Sequence, residues 1–381
     1  MRVKQLSIDT TAPIADALDE ITAIAPQLIL VFGSVAQIGA PGLGGALASA
    51  CPGALVAGCS TAGEISADGV TDSLAVLTGV HFDACQVVMA TTDVADIPDS
   101  SAAGERLAAQ LGAPGIGNVL LFGPGVNVNG SALIAGLHQR LGADVRISGG
   151  LAGDGGAFKE TLTLAGDKVG SRTVVAIGFI GDKLSAQHGS FHGWVPFGPA
   201  RRVTRSEGNL LFELDGEPAL EIYKRYLGDY AKDLPASGLL FPFEMLGENQ
   251  DKVGLIRTIL GIDEDKGMLV LAGDIIENGY LRLMHASTDS LVDGAEEAAS
   301  RAREGSVGAG DKLAVLVSCV GRKLVMGVRV DEEVEAVADI FGRDATLAGF
   351  YSYGEISPDI DGIDCKLHNQ TMTITYLSEA A

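Results

Sequence analysis

The sequence predicts an α/β protein of two domains, each a pseudo-duplicated β-α-β unit with mixed sheets flanked by helices. Three observations carry that expectation. Short continuous apolar runs of buried-strand type recur, each is followed by a helical stretch, and in the first half the order repeats at constant spacing. At 381 residues the chain also exceeds one ordinary core, so two domains are expected.

The first strand is LILVFG (28–33), followed by the Gly-rich SVAQIGAPGLGG, a small-residue helix near ALASAC and a second strand, ALVAG. The order returns with NVLLFG (118–123), PGVNVNG, the helix SALIAGLHQRLG and VRISGGLAGD. In that helix Leu133, Leu137 and Leu141 share a face, and Ser131 is the expected N-cap. Phe32-Gly33 matches Phe122-Gly123, and Ala62-Gly63-Glu64 matches Ala152-Gly153-Asp154, both 90 residues apart. One register across two motifs and a helix argues for a duplication near 28–66 and 118–156.

The second half echoes these endings. LVLAGDII (269–276) and AGFYSYGEIS (348–357) close strands with Gly273-Asp274 and Gly354-Glu355. LAVLVSCVG (313–321), a helix around DEEVEAVADIFG and the GEIS strand again run β-α-β. The domain boundary is expected near GEPALEIYKRYLG (216–228), where Pro218 suits a first helical turn. That divides the chain into 1–215 and 216–381.

Composition narrows the function. With 47% hydrophobic and 20% charged residues the chain reads as globular. Its most apolar runs, such as TVVAIGFIG (173–181), fall well short of the ~18 residues of a membrane span. MRVKQLSIDTT has no apolar core of signal-peptide type. Five scattered cysteines (51, 59, 85, 319, 365) fit reduced thiols in the cytoplasm. A net charge of −22 repels nucleic acid and anionic lipid, so neither is an expected partner.

Several motifs bear on chemistry. A Gly-acid pair that recurs at each strand end suits a turn, in which glycine allows tight backbone and the acid bonds nearby amides. A catalytic carboxylate would normally be needed once. Cys59 has Gly149 at its matched position, so a thiol is no part of the repeat. Cys319, close to Arg322 and Lys323, is the better nucleophile, with His368 as its base. Its other reading is a small buried hydrophobe. GAPGLGGALA and GPGVNVNGS miss the dinucleotide and P-loop patterns by Leu47 and by an absent Lys. No zinc spacing occurs. His188 and His192, four apart on a strand, lie about 13 Å from each other and cannot share one ion. Either could still be the axial ligand of a haem, with Trp194 and Phe197 lining the slot, or a hydrogen-bonded seam histidine.

GCSTAGEIS, GGLAGD, GWVPFGP with ELDGEPALEIYKRYLG, SCVGRKLVMG, GFYSYGEISP and LHNQTMT occur in an order that resembles the FIST family. The resemblance runs from about residue 25 to 378, and GFYSYGEISP with LHNQT is its most specific part. It implies a FIST N domain over 1–215 and a FIST C domain over 216–381. It also implies a sensory, non-enzymatic protein that binds a small amino-acid-like ligand. The expected partners are a histidine kinase, a chemoreceptor or a cyclic-di-GMP enzyme. One branch of the family resembles nitric-oxide-sensing haemoproteins that control a histidine kinase, which makes haem the alternative cofactor. A thiol enzyme using Cys319 is the distant third reading.

Tyr351, Ser352, Tyr353, Glu355, His368, Asn369 and Gln370 form a dense polar cluster in an Ala- and Gly-rich chain. They are the expected ligand-binding residues, unless they only satisfy loop backbone. Once both halves are placed, no kinase, DNA-binding or GGDEF-type segment fits in the 381 residues, so signalling is expected to need a separate partner.

Overall fold

Continuous apolar strands need cover on both faces, and here three sheets provide it by closing around one another. The computed structural model describes all residues except 11–13, 15, 16, 113, 306, 307, 309, 344, 359–363 and 381. Among the described residues there are three six-stranded sheets and one nine-stranded sheet.

The six-stranded sheets are built alike. In the first, strand Leu28–Gly33 runs parallel to Leu55–Ser60 and antiparallel to Ala75–His81. In the second, Ile116–Gly123 pairs the same way with Arg146–Leu151 and Thr173–Ile180. In the third, Lys312–Cys319 does so with Ala345–Ser352 and Met372–Glu379. Each unit also lends a hairpin to a neighbour. Glu64–Ser66 joins the third sheet, Thr163–Ala165 the first and Gly354–Pro358 the second.

The α/β class with mixed sheets flanked by helices is therefore what the structure shows. The number of units differs from the expectation, three in place of four. The segment 269–276 closes no unit; strand Met268–Leu271 belongs instead to the nine-stranded sheet, which is inserted between Leu184–Phe191 and helix Thr288–Arg303. That sheet takes strands from both sides of residues 215 and 216, including Leu210–Leu214 and Phe243–Leu246. Gly-Asp after a strand is a local turn preference, and it marks no particular fold.

Glycine sets the register of the three units. A Cβ on Gly58, Gly149 or Gly349 would stand 1.8, 2.1 or 1.9 Å from the carbonyl oxygen of Val31, Leu121 or Leu316 on the parallel partner strand. No side chain fits there, so the three glycines are equivalent positions. Ser60, Leu151 and Tyr351 then correspond, as do Ala62, Gly153 and Tyr353. A ring of backbone bonds confirms it: Ala62 N donates to Tyr351 O (2.8 Å), Gly153 N to Ser60 O (2.8 Å) and Tyr353 N to Leu151 O (3.1 Å). The matching of Gly63 with Gly153 is thus corrected by one residue. Asp154 lies in extra chain of the second unit, and Thr163 occupies the place that Glu64 and Glu355 hold in the others.

Phenylalanines from the three units meet at the centre. Phe32 lies 5.4 Å from Phe122 and 4.8 Å from Phe350, centroid to centroid, and Phe122 lies 6.0 Å from Phe350. Such contacts contribute about 0.5–1.5 kcal/mol each beyond burial. Helix Gly130–Leu141 is capped two residues earlier than expected, by Asn129 in place of Ser131, with Asn129 accepting from Ala132 N at 3.0 Å. Pro218 does precede a helix, Ala219–Leu227.

Candidate functional site

At the carboxyl ends of the parallel strands, the hairpin turn of the first unit faces the strand-to-helix turn of the third. Between them is a cleft of about 610 Å³. It is lined by Ser34 and Thr61–Glu64 with Asp72 from the first unit, Asp154 from the second, and Val320, Lys323 and Leu324 from the third. Clefts of this size accommodate small molecules.

The turn holds a carboxyl group in a defined pose. Thr61 donates its hydroxyl hydrogen to Glu64 Oε1 (2.6 Å) and accepts from Gly63 N (3.1 Å). Thr71 donates to Glu64 Oε2 (3.0 Å). Glu64 is 1% exposed. Burial pushes its carboxyl up to about 7, against the two threonine bonds and with help from the charge of Asp72. Near neutrality this group can either give or take a proton.

Lys323 supplies the cation. Helix Val320–Met326 carries it toward the turn, where Nζ donates to Ala62 O (2.9 Å) and Asp72 Oδ1 and lies 5.5 Å from the Tyr351 ring centre. Gly63, at φ +137°, makes room: a Cβ there would stand 2.5 Å from Nζ. Asp154 completes the rim. Burial pushes its pKa up, yet the Tyr353 hydroxyl and the amides of Phe158, Lys159 and Glu160 hold it below the usual carboxylate range. One ammonium and three carboxyl groups therefore face one volume. Such an array can bind both ends of a zwitterion.

The seven residues expected to bind ligand are buried. Tyr351 donates to Glu333 and Tyr353 to Asp154, so both tyrosines stand behind the cleft. Ser352 donates to Glu355 Oε1 (2.7 Å), and Thr371 N donates to Oε2 (3.2 Å). Glu355 is pushed up to about 8 by burial, against those bonds. His368 Nε2 lies 3.3 Å from Ser357 O. Asn369 donates to His368 O (2.9 Å) and Gln370 to Leu239 O (2.9 Å). Oδ1 of Asn369 and Oε1 of Gln370 have no hydrogen-bond partner among the described residues.

The other candidates are scattered. All five cysteines are free and buried, and burial pushes the thiols of Cys59 and Cys319 up, away from thiolate. The His188 ring is 3.5 Å from the Thr375 hydroxyl, its Nε2 has no partner among the described residues, and burial pushes it down to about 3. His192 accepts from Trp194 N (2.9 Å) and is pushed down to about 4, again by burial. Trp194 is packed with Met284 and Leu291, its indole N–H bonded to Gln370 O, while Phe197 is at the surface. Among the described residues no group of three His, Cys, Asp or Glu could hold a metal ion, and no helix is long and apolar enough to cross a membrane.

Sequence reasoning named Lys323 only as a neighbour of Cys319 and missed Asp72 and Thr61. The signal was present. STAGEIS and YSYGEIS share a hydroxyl three residues before the glutamate, and both hydroxyls bond it.

Comparison with known proteins fits this architecture. Residues 27–217 match the FIST N domain and residues 219–358 the FIST C domain. An uncharacterized protein of Methanocaldococcus jannaschii is 26% identical over 266 residues, covering 62% of this chain and 50% of that protein. An uncharacterized protein of Mycobacterium tuberculosis is 29% identical over 201 residues, covering 49% and 51%. The chain spans about half the length of these curated relatives. A cyanuic acid hydrolase structure from A. caulinodans covers 100% of this chain at 10% identity and a TM-score of 0.37, which says nothing of this chain's chemistry.

Proposed function

The chain belongs to the FIST family, and from that premise we propose that it senses an amino-acid-like ligand in the cleft between its first and third units. FIST domains are generally sensory domains that bind small ligands. The observation that carries the reading is Lys323, held at the cleft by an exposed partner. Asp72 is 67% exposed, so a ligand carboxylate can replace it at little cost. The ligand's amine then meets Glu64 and Asp154. Output passes to a separate partner, a histidine kinase, a chemoreceptor or a cyclic-di-GMP enzyme, whose basic face would complement this acidic chain. Five free, buried thiols support a reducing, cytoplasmic setting.

Calorimetric titration with an amino-acid panel tests the site, with folding checked by thermal melt. Lys323→Met should weaken binding by about 1.5–3 kcal/mol, tenfold or more. Asn369→Ala should leave it unchanged. The reverse pattern would move the ligand to the HNQT strand under the inserted sheet. The haem reading keeps one observation, that His188 Nε2 has no hydrogen-bond partner among the described residues. A Soret band on supplying haem, lost in His188→Ala, would favour it.

A further inference from the structure

The seam that forms the cleft occurs again where the turn of the third unit meets the second unit, and there too it is hollow. Helices Val35–Ile38 and Val320–Met326 begin at equivalent residues, and Gly125 holds that place in the second unit, so Val128 stands where Lys323 stands. Tyr353 likewise stands where Ala62 does. Between Tyr353 and Val128 lies a pocket of about 130 Å³, covered on its far side by Leu271 and Asn209 of the inserted sheet.

Its chemistry differs from that of the cleft. The walls are apolar, formed chiefly by Val128, Leu151, Leu271 and Leu367, and the one charged lining residue is Asp274, exposed at the mouth. Glu355, the counterpart of Glu64, does not line it. Two carboxamides remain. Asn129 uses its oxygen to cap Ala132 N, and Asn209 uses its amide N–H to bond Leu271 O (2.9 Å). That leaves an N–H donor on Asn129 and a carbonyl acceptor on Asn209 without a hydrogen-bond partner among the described residues. A hydroxyl group both accepts and donates, so it can bond either carboxamide. An apolar cavity of about 150 Å³ admits benzene.

We propose that this pocket is a second ligand site, selective for a small neutral alcohol or phenol. Occupancy ties the inserted sheet to the three-unit core, so the ligand raises the stability of their joint packing. The site is independent of the cleft and of the function proposed for it.

Phenol is the probe, with benzoate as the charged control. Titration into protein carrying labelled Leu and Val methyls should give saturable shifts at Leu151, Leu271 and Leu367 and a higher Tm. Benzoate should bind at least tenfold more weakly. Ala272→Leu, which fills the pocket wall, should lower phenol affinity at least tenfold, and Lys323→Met should leave it unchanged. Shifts that do not saturate, equal binding of benzoate, or a folded Ala272→Leu variant with wild-type affinity would each overturn the proposal. If that variant fails to fold, crystals of the natural protein soaked in 4-bromophenol decide the matter. The anomalous bromine peak must fall between Leu271 and Leu367, and a peak elsewhere refutes the site.

Discussion

STAGEIS in the first unit and YSYGEIS in the third build the same turn and put it to different uses. Thr61 and Ser352 each bond a glutamate three residues on, and each glutamate carries a raised pKa because it is buried. The first turn forms a wall of the 610 Å³ cleft. The third is sealed by the inserted sheet, where Arg257 donates to Leu367 O (3.3 Å) and Gln370 to Leu239 O. The two also rest on different supports. Arg322, behind the third turn, is an ion-paired residue: it and Glu333 are both 0% exposed and 2.6 Å apart, with Ser318 and Tyr351 donating to the same carboxylate. Its counterpart in the first unit is Gln37, a neutral residue bonded to Thr10, Asp9 and Ser73. A shared motif therefore sets the turn, and what covers it sets its use.

The largest expected effect tests those supports. Arg322→Met strands the Glu333 carboxylate and should cost about 3–5 kcal/mol in urea unfolding. Gln37→Ala should cost about 1–3 kcal/mol, since it breaks hydrogen bonds to Thr10, Ser73 and the Asp9 carboxylate but no buried ion pair. Equal costs would show that charge does not distinguish the two units.

The pH dependence of stability comes next. Glu64 and Glu355 have folded pKa values raised to about 7 and 8, so the folded chain binds more protons than the unfolded one. Their contribution is complete below the ordinary carboxyl range and is lost as pH rises through 7 and then 8. His188 and His192 are lowered to about 3 and 4 and act oppositely, losing stability as pH falls below about 6.5. Stability should therefore fall by about 1–3 kcal/mol from pH 6 to 8. Glu355→Gln should remove the later part of the fall and Glu64→Gln the earlier part. A single step removed by either variant would mean that the two groups titrate together.

Thr61→Ala and Ser352→Ala each delete one hydrogen bond to a buried glutamate. The expected costs are about 1 kcal/mol and about 2 kcal/mol. Thr61 lines the cleft, so water can replace its hydroxyl, whereas Ser352 is fully buried and lines neither the cleft nor the pocket beside Tyr353. Melting curves that rank them the other way would place the seal at the first turn.

The smallest effect belongs to Asp72→Asn. The Lys323 bridge is exposed on the Asp72 side, so stability should change by only about 0–1 kcal/mol. Ligand affinity should rise several-fold in the same titration, because a competitor for Lys323 is gone. A loss of affinity would make Asp72 a ligand contact.

Much of the fold is legible in the sequence. Leu28–Gly33, Leu55–Ser60 and Ile116–Gly123 lie where the apolar runs put them, because a strand covered on both faces must be apolar throughout. The glycine-acid ending is legible as a turn because its cause is equally local. The pairing of Gly63 with Gly153 misleads, since one extra residue between Gly123 and Gly149 moves the true offset from 90 to 91 before the turn is reached. Tyr351 and Tyr353 stand out in the sequence as residues of the functional region, and the structure adds that Tyr351 lies under Lys323 and Tyr353 bonds Asp154.

The sequence by itself determined the strands, the helices between them and the turns that end them, because these follow from neighbours a few residues apart. Only the tertiary structure decided that the units number three, that each lends its hairpin to another, and that Lys323 meets a turn 260 residues earlier in the chain at Ala62 and Gly63. It also decided which glutamate faces a cleft. Exposure depends on what packs above a turn, and the sheet that covers Glu355 comes from chain inserted more than 60 residues before it. The motif around Glu64 carries no trace of that cover, because burial is a property of the assembled layers.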